Sequence, residues 1–142
     1  MGARRKKLLQ TLARVARGVL LALLALIVLY RFVNPPFSTL MLASWLTGGK
    51  VEQEWVPLEK ISQHLVRAVI TSEDGRFCQH WGVDWTEVEN ALERAEETGR
   101  GPRGASTIPM QTVKNLFLWQ SRSYVRKAVE VPLAYVASFF WP

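Results

Sequence analysis

Residues 18–30 read GVLLALLALIVLY, thirteen consecutive positions without a charge. As a helix, thirteen residues at about 1.5 Å each fall short of the roughly 30 Å of a bilayer's hydrocarbon core. If Arg17 and Arg31 snorkel to opposite interfaces, Val15 to Val33 becomes a 19-residue span of about 28 Å. Arg4, Arg5, Lys6, Lys7, Arg14 and Arg17 precede the run, with no acid among the first 17 residues. A cleaved signal peptide has the same basic start and short apolar region. However, no small-x-small cleavage pattern follows Tyr30, and the chain runs on as RFVNPPF. The favoured expectation is a retained single-pass signal anchor, with its basic end cytoplasmic and everything after it exported.

The net charge of +6 is therefore local. The remaining 125 residues hold 12 bases and 12 acids, so the high isoelectric point describes the tip and gives no reason to expect nucleic-acid binding. With 142 residues, 49% hydrophobic composition and six tryptophans, the chain suits one small packed domain plus an appendage. The single cysteine, Cys78, excludes an internal disulfide.

The expected division is a basic tip over 1–17, the anchor over 18–33, a membrane-proximal connection over 34–57 and a domain over 58–142. Pro35-Pro36 ends the first helix, since neither proline donates a helical hydrogen bond. FSTLMLASWL, 37–46, is apolar enough to lie at a membrane surface or to pack on the domain. Leu58, Ile61, Leu65, Ala68 and Val69 fall at helical spacing and predict a helix over 58–72 with one buried stripe. A second helix is predicted over 84–99, capped by Asp84 or Thr86 and ended by Gly99. The glycine-rich basic loop GRGPRGAS, 99–106, leads to a helix starting near Ser106-Thr107, where either hydroxyl caps and Pro109 is tolerated in the first turn. SYVRKAVEVPLAYVASFF predicts a last helix with a kink at Pro132. No strand pattern stands out; the fold class is all-α.

Charge is segregated within the body. Lys50 to Glu97 contains eleven acids and five bases, whereas Thr98 to Val129 contains six bases (Arg100, Arg103, Lys114, Arg122, Arg126, Lys127) and no acid. Cations flanking a glycine-rich loop, on a membrane-anchored chain, point to an anionic substrate held in the membrane. The pair Glu73-Asp74 sits near the end of the first predicted domain helix. Neighbours on a helix point about 100° apart, so at most one of them serves as an acid/base and the other as a structural acceptor, the plain alternative being that both cap or solvate the helix end. Cys78, His80 and His64 lack the spacing of a four-ligand zinc site. His80 reads as an orienting residue and Cys78 as a small buried hydrophobe. Ser106 and Thr107 have no activating histidine after them and read as caps. Gln111 and Lys114 share a helix face.

Taken together, these stretches resemble the peptidoglycan glycosyltransferase family, in particular its monofunctional branch. The motif ED-x-x-F-x-x-H-x-G is matched by Glu73, Asp74, Phe77, His80 and Gly82. The motif G-x-S-T-I-x-x-Q-x-x-K-N is matched by Gly104, Ser106, Thr107, Ile108, Gln111, Lys114 and Asn115, and R-K-x-x-E by Arg126, Lys127 and Glu130. The resemblance implies a lysozyme-like all-α domain, partial here, behind one transmembrane helix in the bacterial inner membrane, facing the periplasm. It implies polymerisation of lipid II into glycan strands with Glu73 as general base. Lys114 and Arg122 would bind the pyrophosphate, and Gln111, Ser106 and Thr107 would contact substrate. Asp74, Phe77, His80, Gly82, Arg126, Lys127 and Glu130 would support the site. A divalent cation, Mg2+ or Mn2+, is implied as helper, with no metal ligand assigned, and cell-wall synthases or division proteins as further partners.

Two features depart from the pattern. Pro109 and Met110 stand where many members carry a polar residue followed by glutamine. The family's further E-x-Y-L-N motif and C-terminal lobe do not follow FFWP, so the chain is expected to be a truncated member. Two rival readings follow: a lysozyme-type hydrolase using Glu73 as general acid, and an inactive anchored protein that binds lipid II or cell-wall synthases without turnover.

Overall fold

The computed structural model describes residues 2–141 apart from Arg122, and it divides into two compact units, Met1–Asn34 and Pro35–Pro142. The first unit is one helix, α1 (Gly2–Tyr30), so the basic tip is helical along with the apolar run. Its 29 residues rise about 43 Å. Within the stretch Arg4–Tyr30 an 18-residue window reaches a mean hydropathy of 2.3, so the helix is long and apolar enough to cross a membrane. After Tyr30 the amides of Phe32 and Val33 still close back onto Leu29 O, and the helix stops before the two prolines.

Among the described residues the regular elements of the second unit are all helices, joined by loops, apart from an isolated bridge between Trp81 and Val83. Its helices are α2 (Thr39–Leu46), α3 (Gln63–Glu73), α4 (Trp85–Thr98), α5 (Ile108–Phe117) and α6 (Tyr124–Phe140). Four starts are set by a side chain that accepts an otherwise unpaired amide of the first turn: Ser38 from Met41 N, Asp84 from Glu87 N, Thr107 from Met110 N and Ser123 from Arg126 N. Between the two candidates for α5 the cap is Thr107; for α4 it is Asp84. Gly99 ends α4 at φ +64°, the left-handed conformation expected of a C-terminal glycine.

The first helix of the domain departs from its prediction. Leu58–Lys60 forms a separate 3-10 turn, and Ile61, in extended backbone, breaks it from α3. The predicted stripe is not buried either: Leu58, Leu65 and Val69 are all exposed. The core lies elsewhere, where α5 packs on α6 and α2 packs on α5. Met110 and Val113 of α5 meet Leu133, Ala134 and Ala137 of α6 in the set of fully buried residues, joined by Val83, Ala91 and Leu118. The last helix runs through Pro132 to Phe140. Pro132 and Ala128 both lie on its exposed side, where water can satisfy the carbonyl that proline leaves unpaired.

Gly82 fixes how closely the loop after α3 approaches α6. Its φ is +86°, and a β-carbon there would stand 2.8 Å from the Ala134 carbonyl oxygen and 2.9 Å from its carbon. Backbone cannot yield as a flexible side chain would. Gly82→Ala is expected to cost about 2–5 kcal/mol, combining a strained φ with a forced displacement of α6. A urea unfolding midpoint unchanged from the parent would refute that account.

A candidate active site at the end of α3

Glu73 is the last residue of α3 and Asp74 its C-cap, so the backbone leaves the helix between them. Their side chains have opposite environments. Asp74 is buried and both its oxygens are occupied: Oδ1 accepts from His80 Nε2 at 2.8 Å, and Oδ2 accepts from the Ile108 amide at 2.9 Å. Asp74 therefore ties the loop after α3 to the first turn of α5, where a carboxylate is also favoured by the helix dipole. The ionised carboxylate only accepts, so His80 carries its proton on Nε2. His80 Nδ1 is buried without a hydrogen-bond partner among the described residues.

Glu73 is exposed, and its Oε2 accepts a hydrogen bond from Gln111 Nε2 at 3.0 Å. The same nitrogen lies 3.4 Å from Ser106 O. A cleft of about 220 Å³ opens beside Glu73, walled by Arg76, Asp84, Glu87 and the segment from Gly104 to Thr107. On its floor Thr107 is buried, donating to Gly82 O at 2.6 Å and accepting from Met110 N. Its hydroxyl is consumed by the fold. Phe77 stacks edge-on against His80, with ring centroids 6.3 Å apart.

A second cluster supports the wall from behind. Glu130 is buried and paired with both Arg126 and Lys127; the Lys127 contact is 2.8 Å. Lys127 Nζ also donates to Ser106 Oγ at 2.8 Å, so α6 holds the loop that carries the cleft wall. Arg126 additionally donates through Nε to Ser121 O at 3.0 Å. Lys114 is half-buried on α5, three residues after Gln111, with no ion-pair partner among the described residues. Arg122 lies outside the described residues.

Sequence reasoning missed Arg76. Its Nε lies 3.0 Å from Asp84 Oδ2 and its Nη2 donates to Thr86 Oγ1 at 3.3 Å, which bridges the loop after α3 to the start of α4. Nothing in a spacing of eight residues marks such a pair in advance. Cys78 also departs from expectation: it is exposed, because the short 3-10 turn Phe77–Gln79 holds it on the surface.

Glu87 lines the same cleft, and its carboxyl is held below the ordinary glutamate value, first by the hydrogen bond from Arg94 (2.6 Å) and then by that from Asn90. A depressed carboxylate contributes stability above its unfolded value and loses it as pH falls through the folded one. The loss here is confined to acid below the ordinary glutamate range, and exposure of the pair keeps it small. In a carbon-detected NMR titration Arg94→Ala should move the Glu87 midpoint upward; a midpoint that stays put would remove Arg94 as the cause.

Among the described residues no three histidine, cysteine or acidic side chains converge as a metal site. The residues present therefore do not fit a cation held by the protein alone.

The fold and this carboxylate-bearing cleft coincide with a known sequence family. Residues 40–140 match the family model described as Transglycosylase, and the chain belongs to that family. Similar proteins include three named biosynthetic peptidoglycan transglycosylase. That of Agrobacterium fabrum is 48% identical over 135 residues, which covers 89% of this chain and 59% of the relative. That of Rhodospirillum centenum is 47% identical over 137 residues, 96% of this chain and 59% of the relative. That of Rhizobium meliloti is 49% identical over 129 residues, 89% and 54% respectively. The chain thus spans somewhat more than half the length of the curated relatives it matches.

Proposed function

We propose that this protein is a peptidoglycan glycosyltransferase acting on lipid II, with Glu73 as the general base. One observation carries the reading: of the two adjacent carboxylates, Asp74 is buried with both oxygens occupied, while Glu73 stands exposed at the cleft. In the proposed step the acceptor sugar's 4-hydroxyl oxygen bonds to the anomeric carbon of the donor, with inversion. The hydroxyl proton passes to Glu73. The bond from that carbon to the pyrophosphate oxygen breaks, and the polyprenyl pyrophosphate leaves with the electron pair.

Lys114 is the cation assigned to the departing pyrophosphate on the described surface, and Arg122 is assigned the same role from sequence. Ser106 borders the cleft and Gln111 donates to Glu73 beside it, and both are assigned to substrate contact. Thr107, its hydroxyl engaged by Gly82 and Met110, is reassigned to support, with Asp74, Phe77, His80, Gly82, Arg126, Lys127 and Glu130. A divalent cation belongs with the substrate's pyrophosphate, which can hold Mg2+ or Mn2+ without a protein cage, and no step is routed through it. In this reading α1 anchors the protein in the bacterial inner membrane with the cleft on the periplasmic side, beside lipid II, the growing strand and partner synthases or division proteins.

The test is incubation of the chain in detergent with labelled lipid II, followed by gel separation. Growth of long glycan supports the assignment. Release of short sugars would replace it with the hydrolase reading. Binding of lipid II without either product would favour a non-enzymatic role.

A further inference from the structure

Among the described residues that line the cleft, four are acids, Glu73, Asp74, Asp84 and Glu87, and Arg76 is the single cation. Three of the acids are already answered by the fold. Asp74 accepts from His80 and the Ile108 amide, Asp84 from the Glu87 amide and Arg76, and Glu87 from Arg94 and Asn90. Arg76 is answered only in part. Its Nε lies 3.0 Å from Asp84 Oδ2 and its Nη2 donates to Thr86 Oγ1 at 3.3 Å, so the guanidinium is fixed at two of its nitrogens. Both N–H bonds of Nη1 and one of Nη2 remain without a partner among the described residues, on a side chain that is 43% exposed. A planar group held this way, with N–H bonds left on both terminal nitrogens, is preset to take two oxygens of one oxyanion.

Which oxyanion that is follows from the stereochemistry of the step proposed above, on which this inference rests. Inversion requires the attacking hydroxyl and its base on one side of the anomeric carbon and the leaving pyrophosphate on the other. Arg76 lies three residues after Glu73 and lines the same cleft, so it stands with the base, on the acceptor's side. Lipid II is a disaccharide-peptide on a polyprenyl pyrophosphate. The acceptor therefore brings two kinds of anion, the carboxylates of its peptide and its own pyrophosphate. The acidic lining favours the singly charged one, because Coulomb repulsion from Glu73, Asp84 and Glu87 grows in proportion to the ligand's charge. We infer that Arg76 is a specificity-determining contact that takes a peptide carboxylate of the acceptor on Nη1 and Nη2, with Asp84 and Thr86 holding the guanidinium in place. The contact makes the cleft distinguish a peptide-bearing acceptor from bare glycan.

The experiment measures binding to the full chain in detergent by calorimetry, so it needs no turnover. The probes are the soluble disaccharide-peptide, which has carboxylates and no phosphate, the same molecule with its carboxylates amidated, and inorganic pyrophosphate. Arg76→Lys keeps a cation beside Asp84 and gives up the planar fork, and an unchanged urea midpoint shows that its fold is kept. Arg76→Gln, which retains a donor for Asp84, is the second variant. The parent is expected to bind the disaccharide-peptide roughly tenfold more tightly than the amidated form, as for a hydrogen bond to a charged group. Arg76→Lys should lose the same factor, and amidation should then cost it nothing more. An amidation loss that persists undiminished in both variants would overturn the inference, as would equal affinity of the parent for the two forms. A loss confined to pyrophosphate would overturn it in favour of a phosphate contact. Absence of disaccharide-peptide binding by the parent would overturn it too, and the lipid II polymerisation assay then decides separately whether the glycosyltransferase reading falls with it.

Discussion

Glu73→Gln is expected to reduce glycan polymerisation by about 10²–10⁴-fold, the usual contribution of a positioned general base, while lipid II binding and the unfolding midpoint stay at their parent values. The substitution is nearly isosteric, and the new amide oxygen can still accept from Gln111 Nε2, which lies 3.0 Å from the present carboxylate. What is lost is the ability to take up a proton. Glu73 is exposed at the cleft, so no buried contact is broken and a stability change would be out of place. Asp74→Asn is the informative companion. It would set an amide nitrogen against one of two donors, His80 Nε2 or the Ile108 amide, and so should lower stability and activity together. Full polymerisation by Glu73→Gln would remove Glu73 as the base.

The second large effect concerns stability. Glu130 is a carboxylate almost wholly out of water, held by Arg126 and Lys127 on its own helix. Removing one partner of a buried ion pair leaves the other charge uncompensated, at a typical cost of about 3–5 kcal/mol. Glu130→Ala should reach that range, because the Arg126 side chain is 11% exposed and has little access to water. Lys127, 38% exposed, can turn to solvent and accounts for less of the loss. Its departure would also release Ser106, whose hydroxyl it holds at 2.8 Å. Glu130→Met, similar in size but apolar, should therefore remain as destabilising as alanine in chemical denaturation, whereas the triple change of Glu130, Arg126 and Lys127 to methionine should recover much of the stability. If Glu130→Met alone matched the parent, the charge cluster would not be what holds α6 to the loop.

Much of this protein was legible because its determinants are local. The cap at Asp84 and the terminating Gly99 act on amides within one helical turn, so the residues alone place α4 and α6 within a residue of their observed ends, whereas α1 extends back from the apolar run through the basic tip to Gly2. The motif residues were legible for a different reason, their spacing along the chain. Other properties depend on partners far away in sequence. Glu73 and Asp74 are chemically near-identical neighbours. Asp74 is a structural residue because the Ile108 amide, 34 positions on, meets its oxygen; Glu73 is left at the cleft. The Thr107 hydroxyl is engaged within the fold because Gly82, 25 positions back, offers its carbonyl. Leu65 and Val69 have helical spacing but are exposed, so periodicity named a face and not its burial. The same limit left the setting of α2 open: its composition said apolar, and only the hydrogen bonds from Thr39 to Asn115 O and Leu118 O tie it to the end of α5.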